Sequence, residues 1–184
     1  MARADQTPGI RPRRTPARQL DLSARHAFPA SCTVVLMLLV ETPLGIANQA
    51  MLLPAVAIAC VYFWSLFRPA AMPPPAVFLI GLLLDLLGYL PLGVGVLTLL
   101  MVHGLAVRWR PALTRQGFAA VWLAFAGLGT AAATLSWVLT ALLSFRLLPL
   151  APMLFQALLT AALYPVLAVL FVRAHRTVAD PEQA

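Results

Sequence analysis

Asp85 is the residue in this chain whose chemistry most needs explaining. It lies within residues 78–93, FLIGLLLDLLGYLPLG, and every neighbour from Phe78 to Leu87 is apolar or glycine. One carboxyl in such company has three possible uses: proton or ion coupling, recognition of a partner or ligand, or a structural role held by hydrogen bonds. A charged side chain at the centre of a bilayer costs roughly 2.5 kcal/mol or more, so its presence there requires one of these explanations. No arginine falls inside an apolar run, which leaves Asp85 without an obvious counter-ion. Thr98, on the arm that returns after the turn at Gly88, Pro91 and Gly93, lies at roughly matching depth and could donate a hydrogen bond. The structural or interface reading is preferred, because coupling needs further ionisable groups at the same depth and Asp85 is alone there.

The other polar residues suggest blander roles. Glu41, beside a Thr-Pro break, reads as an interfacial acid, and His103 as a hydrogen-bonded packing residue. Gln156 and Tyr164 are polar handles for neighbouring helices, and Cys32 and Cys60 are small core residues. A paired acid and base, a metal-binding His-Glu-x-x-His, an activated nucleophile and a phosphate-cradling glycine loop are all missing. The chain is therefore read as a non-enzyme, with no cofactor and no metal site.

The elements that must position Asp85 follow from composition. Of the 184 residues 61% are hydrophobic and 10% charged, against about 25% charged in an ordinary globular domain. A single small core cannot hide that surplus, so lipid must cover part of it. Apolar runs long enough for about 20-residue spans are broken at Pro/Gly turns and arginines. They predict six transmembrane helices at about 28–45, 50–67, 75–89, 92–107, 117–142 and 151–172. Residues 1–26 read as a disordered Arg/Pro-rich tail and 176–184 as a second polar tail. Tyr62-Phe63-Trp64 reads as an aromatic belt at the headgroups, and Tyr164-Pro165 as a kink in the last span. Ala126–Thr134, which contains Gly127 and Gly129, offers a face of small residues for close helix approach.

Six spans place both termini on one side. Twelve of the 13 arginines fall on that side and only Arg146 on the other, so the termini are expected in the cytoplasm. This asymmetry explains the net charge of +7 without a nucleic-acid partner.

Gly81-Leu82-Leu83-Leu84-Asp85-Leu86-Leu87 followed by Pro91-Leu92-Gly93 resembles the signature of the rod shape-determining MreD family, roughly GxxLDLLxxxPLG. Pro54 opening a span that ends before Arg68-Pro69, the short spans and Tyr164-Pro165 fit the same family. The resemblance covers roughly residues 30–175; Tyr89-Leu90 departs from it, standing where many relatives carry small polar residues. It implies an all-α polytopic protein of the bacterial inner membrane, with an architecture similar to the substrate-binding components of energy-coupling-factor transporters. It further implies a scaffold of the cell-elongation machinery, working with the bitopic protein MreC, the MreB filament, RodA and a class B penicillin-binding protein. The alternative is a vitamin-binding component of such a transporter. That reading needs convergent polar groups on the outer side, where the candidates are Glu41, Asn48, Gln49, Tyr89 and Arg146.

Overall fold

The computed structural model describes residues 16–42, 49–88, 90–146 and 148–179, with side chains from Phe28 to Leu170 within those ranges and at Arg173. The remainder of the expected tails, Asn48 and Tyr89 lie outside the described residues. Those described form six α-helices and no strand: α1 Pro16–Glu41, α2 Leu52–Phe67, α3 Pro74–Leu87, α4 Val94–Leu113, α5 Phe118–Ser144 and α6 Leu150–Ala179. Short 3₁₀ turns, Gln49–Met51 and Pro69–Ala71, precede α2 and α3.

The helix boundaries have local causes. Helix α1 begins at Pro16, so residues 16–26, read from sequence as tail, are helical. It ends at Glu41, short of the expected residue 45, because the residue before a proline is disfavoured in the helical region and Thr42 precedes Pro43. The Thr42 hydroxyl donates back to Leu39 O at 2.6 Å, and the Gln49 amide donates to Val40 O at 2.5 Å across the turn. Helix α6 runs unbroken through Pro165. Proline cannot donate to the carbonyl four residues back, and here that carbonyl, of Ala161, accepts the Trp122 indole N–H at 3.0 Å.

Among the described residues, three helical stretches are long and apolar enough to cross a membrane: Gln49–Phe67, Phe118–Ser144 and Leu150–Leu170. Phe28–Glu41 and Pro74–Leu87 are apolar but shorter. Helix α4 has 20 residues, but Arg108 and Arg110 occupy its last turns. An apolar helix of 14 residues, such as α3, is about 21 Å long at 1.5 Å per residue, well short of a hydrocarbon core of about 30 Å.

Helix α2 is the axis of the bundle. Every residue from Leu53 to Leu66 except Pro54 is buried, as expected of a helix that is apolar all round. Helices α1, α3, α4 and α6 pack around it, and α5 packs against both α4 and α6. This overturns the aromatic-belt reading of Tyr62-Phe63-Trp64. Tyr62 packs against Phe125 and Tyr164, and Trp64 packs edge-on against Phe28 and Phe63. No face of α2 is left to meet headgroups there. The outer faces of α5 and α6 stay apolar and exposed, with Leu123, Leu142, Leu158 and Val166 each more than 60% accessible.

Candidate functional site

The α3–α4 hairpin is built around the Asp85 carboxyl group, which is 4% exposed. Its Oδ2 accepts the Gly93 N–H at 2.7 Å and the Val96 N–H at 3.4 Å, and its Oδ1 accepts the Gly95 N–H at 2.6 Å. These amides belong to the N-cap and first turn of α4, where a helix has no internal acceptors for its N–H groups. The N-cap, Gly93, has no side chain to supply one. Asp85 does so from the preceding helix, and its negative end faces the positive end of the α4 dipole. The missing counter-ion is thus a helix terminus.

Backbone geometry explains the glycines around it. Pro91 O accepts the Val94 N–H at 3.2 Å, and Gly93, third in that turn, has φ 98° and ψ −19°. A type II turn requires this left-handed third residue. A Cβ on Gly81 would lie 2.6 Å from Val96 Cα, so glycine is what lets α3 meet the first turn of α4. A Cβ on Gly95 would lie 2.5 Å from Asp85 Oδ1. Gly88 ends α3 in extended backbone, its N–H donating to Leu84 O at 2.8 Å. The sequence reading missed Gly95, although the Gly-x-Gly spacing of residues 93 and 95 signals a helix start that something must approach closely.

Thr98 is not the partner of Asp85. It lies on α4 beyond the capped turn, where its hydroxyl donates to Val94 O at 2.7 Å and pairs with Ser136 Oγ of α5 at 3.0 Å. Thr98→Val should therefore lose only an interhelical hydroxyl contact, with an expected cost of about 0.6 kcal/mol. Thermal unfolding in detergent checks this against the much larger effect expected at Asp85.

The remaining candidates are dispersed. Glu41 is exposed at the end of α1. Gly129 is buried facing Thr160 of α6, where a Cβ would sit 3.2 Å from Thr160 Cγ2, whereas Gly127 faces open space. The small-residue face of α5 is thus divided: Gly129, Ala132 and Ala133 pack inward, and Gly127, Thr130, Ala131 and Thr134 form an exposed stripe. Tyr164 stacks on Phe125, with ring centroids 4.3 Å apart, and Pro165 follows it within α6. His103 Nδ1 lies 2.8 Å from Ser65 Oγ, joining α4 to α2. Arg110 Nε donates to Leu66 O at 2.8 Å and so caps the end of α2.

Beside the capped hairpin, and lined in part by its Leu84, Gly88 and Leu90, an open, mostly apolar cavity of about 380 Å³ lies between α2, α5 and α6. Its polar lining is Ser136, Trp137, Thr140 and Gln156. The Thr140 hydroxyl is buried without a hydrogen-bond partner. Of the outer-side residues expected to line a pocket, the described ones, Glu41, Gln49 and Arg146, do not line it. Gln156 is the residue read from sequence as a polar handle between helices; the sequence reading did not single out Ser136, Trp137 and Thr140. Among the described residues no three His, Cys, Asp or Glu side chains come together as a metal site. No family model, curated protein or solved structure matches the chain.

Proposed function

We propose that the chain is a non-enzymatic scaffold of the bacterial inner membrane, of the MreD kind, that serves the cell-elongation complex by receiving the transmembrane helix of MreC. The observation that carries this reading is the Asp85 cap. Both carboxyl oxygens are occupied by backbone amides, so the one buried acid among the described side chains holds shape. The exposed stripe Gly127, Thr130, Ala131 and Thr134 on α5 suits close approach of a partner helix.

Six crossings with both ends in the cytoplasm belong to the same proposal. In support, Phe67, Leu113, Thr114, Gln116, Phe118 and Arg173 meet at one end of the bundle, and Met51, Gly88, Leu90, Leu148, Pro149 and Pro152 at the other. The arginines at 68, 108, 110, 115 and 173 then share one end. The bilayer would have to thin around the short apolar stretches Phe28–Glu41 and Pro74–Leu87. MreB, RodA and a class B penicillin-binding protein enter as further partners through the resemblance alone.

Co-purification of MreC with the tagged chain, together with cell width, tests the proposal. Asp85→Ala and Gly93→Leu should both lower MreC recovery and widen cells by disturbing the hairpin. Ala131→Trp should lower recovery while leaving the fold intact, because residue 131 is exposed. Unchanged recovery and width in all three would sink the proposal.

The 380 Å³ cavity favours a second reading, a vitamin-binding transporter component, since sites for small molecules typically have such volumes and a few converging polar groups. That reading predicts a small molecule co-purifying with the chain, detectable by mass spectrometry, and lost in Gln156→Leu.

A further inference from the structure

A second cavity, of about 450 Å³, opens at the arginine-rich end between α2, the α4–α5 turn and α6. Its floor is apolar and buried, formed by Phe63, Val121 and Tyr164, and Phe67, Phe118 and Val169 are exposed around it. Thr114, Gln116 and Arg173, all exposed, complete the rim. One side of the opening is therefore oily and the other offers donors and a positive charge.

Two independent observations point to a ligand. Tyr164 lines the cavity with its ring packed in the core, and its hydroxyl makes no hydrogen bond with the described residues. Tyr62 beside it donates to Val121 O at 3.1 Å. The Tyr164 hydroxyl reaches the cavity surface and can donate to a ligand acceptor entering it. The second observation is the charge distribution. Arg68, Arg108, Arg110, Arg115 and Arg173 are gathered at this end, while the two acids with described side chains, Glu41 and Asp85, lie toward the other. Arg173 also has a partner within the chain; a guanidinium carries five N–H donors and can serve a phosphate as well.

We infer that this cavity binds one anionic glycerophospholipid. Its acyl chain lies along Phe67, Phe118 and Val169, a polar ester group accepts from Tyr164, and its phosphate meets Arg173, Thr114 and Gln116. A basic pocket between helices near a membrane surface is the kind of site that selects such headgroups, and guanidinium is suited to phosphate geometry.

The full chain in nanodiscs of mixed phosphatidylglycerol and phosphatidylcholine, released into native mass spectrometry, provides the test. The wild type should retain one phosphatidylglycerol in preference to phosphatidylcholine. Arg173→Gln should reduce that preference about tenfold, the loss expected for one charge-assisted hydrogen-bond partner. Val169→Trp, at an exposed position that does not support the core, should reduce retention of both lipids by filling the trough. Tyr164→Phe should lower retention without changing headgroup preference. Inorganic phosphate separates a lipid site from a bare anion site: its displacement of the lipid at millimolar concentration would overturn the proposal. Equal retention in the wild type, Arg173→Gln and Val169→Trp would overturn it too.

Discussion

Asp85→Ala should destabilise the purified chain by about 3 kcal/mol or more, because it leaves backbone N–H groups without acceptors in a water-poor site at about 1–3 kcal/mol each. The groups concerned are the amides of Gly93, Gly95 and, at a longer distance, Val96. For a chain of this size the loss corresponds to a fall of about 6–12 °C in thermal midpoint, read by circular dichroism in one fixed detergent. Asp85→Asn should recover part of the loss, since its amide oxygen can still accept, but the second acceptor oxygen is gone. Asp85→Leu should recover nothing despite matching its apolar neighbours, because the orphaned groups are backbone and stay in place. A midpoint for Asp85→Ala within about 2 °C of wild type would mean that the capped turn contributes little to the fold.

The contrast between Asp85 and Thr98 shows what the sequence could and could not reveal. The apolar runs and their Pro/Gly breaks placed six helices, because span length and turn chemistry are local properties, but α1 begins well before its expected start and α4 and α6 run past their expected ends. The importance of Asp85 was legible too, since a solitary acid in an apolar run must be satisfied somehow. Its partners were not, because backbone amides carry no letter in a sequence, and a search among side chains led to Thr98. Long-range packing was hidden in the same way. Tyr62-Phe63-Trp64 has the composition of an interfacial belt, and only the central position of α2 buries it. The apolar character of α2 on all faces was the available signal. On α5, small residues occur on both faces, so composition alone could not tell Gly129, which meets α6, from Gly127, which meets no other group. The link from Trp122 to the carbonyl freed by Pro165 likewise joins two helices whose contact no local pattern announces.

Gly95→Ala is the sharper test of the hairpin, because its effect should depend on which residue occupies position 85. In the native chain the added methyl would lie 2.5 Å from Asp85 Oδ1 and 3.2 Å from its Cγ. The carboxyl group must then move off the amides, and overpacking of this kind costs about 1–3 kcal/mol. In an Asp85→Ala background both atoms are gone. The nearest remaining neighbour is Leu84 Cδ2, at 3.1 Å, the end of a flexible side chain. There the intrinsic helix preference of Ala over Gly, about 1 kcal/mol, should make the second substitution neutral or stabilising. The double-mutant cycle is therefore expected to show a coupling of about 2 kcal/mol, within the range for residues in contact. Gly81→Ala provides the control. Its methyl would meet Val96 Cα at 2.6 Å, a backbone atom present whatever stands at position 85. Its cost should persist in the Asp85→Ala background, because it comes from helix separation and not from the cap. If Gly95→Ala were instead as damaging without Asp85 as with it, the contact between this glycine and the carboxyl group would not be what makes glycine necessary there.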